Sequence, residues 1–331
     1  MKHLVGRDRE QTALGVVVER MLSGRGGVVL ISGDAGIGKT TLVETVCCQA
    51  AQHGAVAYGG HCYDVMVATP YGPWIEIAND YRPQDGWPTL PKFIHDRDAL
   101  DDLGGQQALF AQTWEFYESL ASIQPIVVVL EDLQWADETS LELLRFIGRQ
   151  ASSHRILLLV TYRDNEITVN HPLYRLVPLI LRETKAMRVR LARFDRVDTG
   201  ELIQDRYDLN SGDRERLLDY LQQRADGNPF YIDELLCSLQ DEDILRIHEA
   251  RWTVGDLARA PLPTLLRQVI DARLHKLGAA TRRLLALGAV IGESVPLELW
   301  RLVSELPEAE FVEHIRPAIE AHVLIESDIS D

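Results

Sequence analysis

From residue 28 to about residue 192, short apolar runs alternate with amphipathic stretches. VVLIS (28–32), AVAYGG (55–60), IVVVLE (126–131), ILLLVTY (156–162) and MRVRLA (187–192) have the length and content of strands. The third and fourth are near-continuous Val, Ile and Leu, as expected of strands covered on both faces. Between these runs, residues 39–51, 106–122 and 137–152 read as helices, with Asp137 capping the last of them. Such alternation predicts an α/β fold, a parallel sheet with helices on both faces. Residues 60–105 break the rhythm with TPYGPW, RPQDGWPTLP and LGG, and read as irregular. After residue 192 the strands stop. Residues 195–240 and 264–325 read as helices only, separated by ADGNPF and GDLARAPLP. The pattern therefore divides the chain into residues 1–194, 195–255 and 256–331.

Length agrees with that division, since 331 residues suggest two or three domains. Charge narrows the partners. The 34 Lys and Arg against 50 Asp and Glu leave a formal net charge of −16, the wrong sign for nucleic acid or an acidic membrane surface. Cys47, Cys48, Cys62 and Cys237 form no CxxC pair and have no histidine cluster beside them. They read as small buried thiols in a reducing compartment rather than as a zinc site. The opening MKHLVGRDRE carries no apolar signal core, and the longest apolar runs are about a quarter of a membrane span. A soluble, cytoplasmic protein is the expectation.

Candidate chemistry begins with IVVVLEDLQWAD (126–137), where a buried-looking strand ends in two carboxylates, Glu131 and Asp132. A buried charge is costly unless it is paired or bound to metal. The pair is therefore either an exposed strand end or helix cap, or half of a cation site. The stretch VVLISGDAGIGKTTLVETV supplies the other half, because Gly33, Gly38, Lys39 and Thr40 satisfy G-x-x-x-x-G-K-[ST] between a strand and a helix. The glycines let backbone N–H groups converge on an anion, and the positive end of the following helix faces the same anion. Lys39 brings a point charge to the β and γ phosphates of a nucleotide, and the Thr40 hydroxyl is a ligand for Mg²⁺. The candidate loop is Gly33, Asp34, Ala35, Gly36, Ile37, Gly38, Lys39, Thr40 and Thr41, with Thr40 and Glu131 as metal-binding residues. The competing interpretation is a glycine-rich turn that merely caps a helix. Ligands of open α/β sheets bind beyond the carboxyl ends of the strands, where both the loop and the acids lie.

The ordered set LVGRDRE (4–10), the loop, PYGPW (70–74), VVVLEDLQWADETSLELL (127–144), LLLVTYRD (157–164) and RADGNPFYIDELL (224–236) resembles the STAND class of AAA-like P-loop ATPases. Within that class it is most similar to the ATPase module at the N-terminus of large LuxR-type transcriptional regulators, over nearly the whole chain. The resemblance implies a P-loop NTPase sheet over residues 1–194, a helical lid over 195–255 and an incomplete winged-helix-like domain over 256–331. It implies that the backbone of Val5, Gly6 and Arg7 lies against adenine, that Pro229 of GNPF packs on the base, and that Arg163 reads the γ-phosphate. From the residues alone, Arg163 is either a phosphate fork at a strand end or a partner of Asp164 or Glu166, and Pro229 is a helix-start proline. The sequence departs from the family at the acids. Glu131 stands where Asp usually holds Mg²⁺ through water, and Asp132 stands where a Glu often activates the attacking water. The longer first acid and shorter second one lead to an expectation of firm binding and slow turnover. Trp135 and Asp137 of QWAD read as a packing residue and a helix cap.

Residues 262–331 hold 7 Lys and Arg against 11 Asp and Glu, which suits an intramolecular switch element rather than a DNA reader. AHVLIESD (321–328) reads as the start of a β-hairpin, and family members usually continue into helical repeats and an effector domain. The expected function is an ATP-binding, slowly ATP-hydrolysing signal-transduction switch, with Mg²⁺ and ATP or ADP bound. Its expected partners are ATP, an inducer or partner protein, and a second copy on activation, with no nucleic acid and no membrane. The alternatives are an oligomeric AAA-type motor, with Arg182 or Arg188 as arginine fingers, a P-loop kinase, or a nucleotide-binding scaffold without turnover.

Overall fold

The computed structural model describes residues 4–64, 69–91, 105–249 and 251–261, and parts of 263–324. It divides into two compact units, residues 1–230 and 231–331. The first runs α1 (Asp8–Leu22), β1 (Gly27–Ser32), α2 (Lys39–Gln52), β2 (Val56–His61), α3 (Gly72–Asp80), α4 (Gln106–Ile123), β3 (Ile126–Glu131) and α5 (Glu138–Ala151). It continues through β4 (Ile156–Tyr162), α6 (Pro172–Thr184), β5 (Met187–Arg190), α7 (Arg196–Arg206) and α8 (Ser211–Ala225). Helix α9 (Pro229–Asp241) begins at the boundary between the units.

All five strands of the first unit are parallel, in the order β2–β3–β4–β1–β5. Side-chain alternation explains the continuous apolar runs. Val28 and Leu30 of β1 join Ile126, Val128 and Leu130 of β3 and Leu158 and Val160 of β4 in a core beneath α3, α4, α5 and α6. Val29, Ile31, Val127, Val129, Leu157 and Leu159 point the other way, onto Leu14 and Val18 of α1 and Leu42 and Val46 of α2. Both faces are covered, so no polar position is tolerated within β3 or β4 until their ends. Because β4 lies between β1 and β3, the loop after β1 and the acids after β3 are brought to one edge of the sheet.

Three sequence expectations are corrected. Helix α3 lies inside the stretch read as irregular, starting after Tyr71 in a left-handed conformation (φ 61°) and carrying Pro73 in its first turn. The strands also do not stop at residue 192. In the second unit Leu245–His248 (β6) and Arg251–Val254 (β7) form an antiparallel hairpin. Glu249 adopts φ 49° there, so the turn is made without the Asn-Gly or Asp-Gly signal that normally betrays one. The second unit also holds α10 (Ala279–Ile291), α11 (Leu297–Ser304) and α12 (Glu308–Glu320) around Leu284, Trp300, Phe311 and Ile315. The hairpin expected over 321–328 lies outside the described residues apart from Val323 and Leu324. The cysteines are not uniformly buried: Cys62 is, Cys47 is partly so, and Cys48 and Cys237 are exposed. No described helix is long and apolar enough to cross a membrane.

Candidate functional site

The loop between β1 and α2 depends on left-handed or otherwise positive φ at Gly33 (152°), Gly36 (74°) and Gly38 (95°). Two of these glycines illustrate separate requirements. A Cβ on Gly36 would come within 2.7 Å of Phe230 Cβ and 3.0 Å of Asn228 Oδ1, whereas one on Gly38 would meet nothing within 4 Å. Gly36 is needed for conformation and close packing, Gly38 for conformation alone.

Three side chains far away in sequence hold this loop. Arg7, only 6% exposed, donates through Nη2 to the carbonyl oxygens of Ile37 (3.1 Å) and Ala192 (2.8 Å). Its guanidinium lies 4.9 Å from the ring centroid of Phe194, and burial lowers its pKa. Asn228 donates Nδ2 to Ala35 O (2.9 Å) and accepts from Phe230 N–H (3.1 Å), while Phe230 N–H also donates to Gly36 O (3.2 Å). Arg193 binds Asp34 through Nε and Nη2 (3.2 and 3.0 Å) and pairs with Asp226. Asn228 and Arg193 escaped sequence reasoning, although Asn228 stands inside the GNPF motif.

Lys39 is buried and donates Nζ to the carbonyls of Gly33 (3.0 Å) and Asp34 (2.9 Å). Its pKa is lowered, first by burial and then by the charge of Arg163, against opposing contributions from Asp132 and Asp34. Thr40 opens the way to the acids, its hydroxyl donating to Glu131 Oε2 at 2.5 Å. Thr40 and Thr41 are exposed at the start of α2. Glu131, the last residue of β3, is 8% exposed. Its other oxygen faces His61 Nε2 at 3.8 Å, and Glu76 grips His61 through the backbone N–H (2.8 Å) and Nδ1 (3.0 Å).

Asp132 adopts φ 56° and ψ 48°. This left-handed residue ends the pleat directly after Glu131, which lets adjacent acids escape strict opposite-face alternation. Asp is among the few side chains that tolerate the conformation. Its N–H donates to Thr161 Oγ1 (3.0 Å), and its Oδ1 accepts from Gln134 Nε2 (3.0 Å) and lies 3.7 Å from Arg163 Nε. Arg163 also donates Nη1 to Glu166 Oε1 at 2.7 Å, so the pairing with Glu166 is realised, and its charge is felt by Lys39. Asp137 accepts from Ser140 N–H at 2.8 Å and caps α5 as the pattern indicates.

Val5 is buried, and Gly6 (φ 66°) packs so closely that a Cβ would come within 2.9 Å of Asp198. Pro229 is the first residue of α9. Of the two arginines weighed as fingers, Arg188 faces Asp164 at 3.4 Å and Arg182 faces Glu183 at 3.9 Å. A cavity of about 780 Å³ borders the acid half of the site at His61 and Trp135, lined further by Tyr58, Tyr71, Trp74 and Phe116, and by no residue of the phosphate loop. Concavity alone would favour it, but its lining contains no Lys or Arg to receive phosphate.

The parallel sheet, the glycine loop with its lysine after β1, and the acid at the end of β3, one strand beyond β4, define a P-loop NTPase fold. Residues 3–160 match the family model described as the AAA ATPase domain, and residues 198–252 match a model described as a domain of unknown function (DUF8739). An uncharacterized protein of Rhizobium meliloti (strain 1021) is 24% identical over 333 aligned positions, which take in 90% of this chain but only 30% of that relative's length. Among solved structures, a Walker-type ATPase of Pyrococcus abyssi superposes with TM-score 0.56 at 14% identity, covering 98% of this chain and 92% of that one. The Aeropyrum pernix ORC1 protein, solved in complex with DNA, gives 0.52 at 15% identity, covering 99% and 87%. At these identities the structural likeness speaks for the fold.

Proposed function

We propose that this chain is an ATP-binding, slowly ATP-hydrolysing switch module that forms the regulatory part of a larger signalling protein, in the manner of the ATPase modules of LuxR-type transcriptional regulators. The observation that carries the reading is the unequal state of the two acids. Glu131 reaches the Thr40 hydroxyl at 2.5 Å, while Asp132 is held in a left-handed turn against Gln134 and Arg163. Thr40 and Glu131 offer hard oxygen donors to a shared ion, the donor type that suits Mg²⁺ held partly by phosphate and water. Bound Mg²⁺ would neutralise charge on the phosphates during phosphoryl transfer. The loop N–H groups and Lys39 bind the phosphates, Arg163 reads the terminal one, and Asp132 orients the attacking water. An acid already engaged by an amide and a guanidinium is poorly placed to do so quickly, which favours slow turnover. On this reading the backbone of Val5, Gly6 and Arg7, together with Pro229, forms the adenine side. Residues 195–255 act as a lid and 256–331 as a winged-helix-like switch element.

The match to only 30% of the relative's length supports a module working within a longer protein; the reading adds a cytoplasmic location, with an inducer or partner protein and self-association as its controls. The engagement of Asp132 also favours a second reading, a scaffold that binds nucleotide without turnover. Purified chain decides among these. The nucleotide that co-elutes is identified, and phosphate release is measured across a range of protein concentration. Slow, concentration-independent release is expected. Fast release that rises with concentration would establish a motor instead, and bound ATP with no release would establish the scaffold.

A further inference from the structure

We infer that Gln134 and Trp135 are positioning residues that aim Arg163 at the terminal phosphate, so that discrimination between ATP and ADP resides partly in the QW pair. The inference rests on the proposed reading of Arg163 and gives a task to a motif that sequence reasoning left as packing.

Arg163 is restrained at four places. Its backbone N–H donates to Gln134 Oε1 (3.2 Å), and its guanidinium lies 4.7 Å from the centroid of the Trp135 ring. Nη1 is bound to Glu166, and Nε faces Asp132 Oδ1 at 3.7 Å, buried and without a hydrogen bond. Gln134 is itself fixed, being 5% exposed. Its side-chain Nε2 donates to Asp132, and its main-chain carbonyl oxygen accepts from His171 Nε2 at 2.8 Å. His171 Nδ1 accepts from Leu173 N–H (3.1 Å), which assigns the proton to Nε2 and makes the bond to Gln134 a consistent donor–acceptor pair. The two residues thus tie the end of β3 to the end of β4, holding Asp132 with one amide atom and Arg163 with the other.

A long arginine side chain loses much rotamer freedom when it is pinned. A buried Nε without a hydrogen bond is costly for a merely structural ion pair, because buried donors are normally satisfied, and the aromatic face beneath the guanidinium fixes its aim without neutralising its charge. Both make sense if the group is held ready for an anion. A second cation strengthens the case. Lys39 feels the positive charge of Arg163, so two positive charges act at the end of the sheet where the loop lies. Such a pair is stabilised by an anion between them, and only a triphosphate brings a terminal phosphate to that edge as well as the two held by the loop.

The test is calorimetric binding of Mg·AMP-PNP and Mg·ADP to the full chain. Arg163→Ala is expected to weaken AMP-PNP about tenfold or more while leaving ADP within about twofold. Trp135→Ala should act in the same direction by about fivefold, and Trp135→Phe, which keeps an aromatic face, should restore selectivity to within about twofold. Gln134→Leu provides an independent variant should Trp135→Ala fail to fold, with the thermal melt of each variant recorded alongside. If Arg163→Ala leaves the AMP-PNP to ADP ratio unchanged, the reading of Arg163 as the phosphate sensor is wrong. If Arg163→Ala changes the ratio but folded Trp135→Ala and Gln134→Leu do not, the sensor stands and the positioning inference is overturned. Equal weakening of both nucleotides by Trp135→Ala, without rescue by Phe, also overturns it.

Discussion

The two halves of the site sit side by side on one sheet edge and are built on opposite principles. The Gly33–Thr40 half is a backbone device. Its shape comes from three positive-φ glycines, and its groups are held by carbonyl contacts from Arg7, Lys39 and Asn228. The Glu131–Arg163 half is a side-chain device, in which Asp132, Gln134, Trp135, Arg163 and Glu166 restrain one another. A backbone device tolerates few residue types at few positions, whereas a side-chain device works through partners that no local spacing reveals. On the proposed function the difference also separates roles: the first half offers binding, and the second offers a response to what is bound.

The comparison breaks most visibly at Lys39. Lys39→Ala removes the only side-chain cation within the loop itself, and a charge-assisted contact worth about 3 kcal/mol corresponds to roughly hundredfold weaker nucleotide binding. Unchanged affinity in a calorimetric titration would mean the backbone alone binds the phosphates. Glu131→Asp probes the junction between the halves. The shorter side chain falls back by about 1.5 Å from a hydroxyl now at 2.5 Å. The Mg²⁺ concentration that half-saturates nucleotide binding should rise about tenfold, with Mg²⁺-free binding unaltered. An unchanged Mg²⁺ requirement would show that the strand end adjusts and that the length of Glu131 carries no weight.

The same contrast accounts for what was legible in the sequence. β1, β3 and β4 announced themselves because both faces are buried, leaving uninterrupted Val, Ile and Leu. The phosphate loop announced itself because its geometry demands glycine at fixed offsets. Helix α3 was hidden by Gly72 and Pro73 in its first turn, residues that also mark turns. The β6–β7 hairpin was hidden because Glu249 makes a turn that glycine or asparagine usually makes. Within the site, the Gln134 bridge between Asp132 and Arg163 exists because β3 and β4 are paired neighbours in the sheet. Asn228 meets Ala35 across a sequence separation of 193. Motif spacing carries no information about contacts of that kind.

Smaller changes sharpen the comparison. Asn228→Ala removes a 2%-exposed side chain that donates to Ala35 O and accepts from Phe230 N–H. The loss of two buried hydrogen bonds should cost about 2 kcal/mol, read as a lower melting temperature, with a modest loss of nucleotide affinity because the loop keeps its glycines. A collapse of affinity without any loss of stability would mean that Asn228 touches the ligand directly rather than bracing the loop.

Asp132→Glu is the finest test, since it installs the acid that the family often has and changes only one methylene. Two opposing consequences follow from the φ of 56° at this position. Glutamate tolerates the left-handed conformation less well than aspartate, so the variant should be less stable by about 1 kcal/mol, a fall of about 2 °C in melting temperature. On the proposed function the longer carboxylate also reaches past Gln134 and Arg163 toward the attacking water, so phosphate release should rise several-fold while nucleotide affinity stays within about twofold. A rise in turnover together with a lower melting temperature would identify Asp132 as a residue that favours a settled strand end over fast chemistry, as a slow switch requires. Lower stability with no gain in turnover would show that engagement by Gln134 and Arg163, rather than length, holds this acid back.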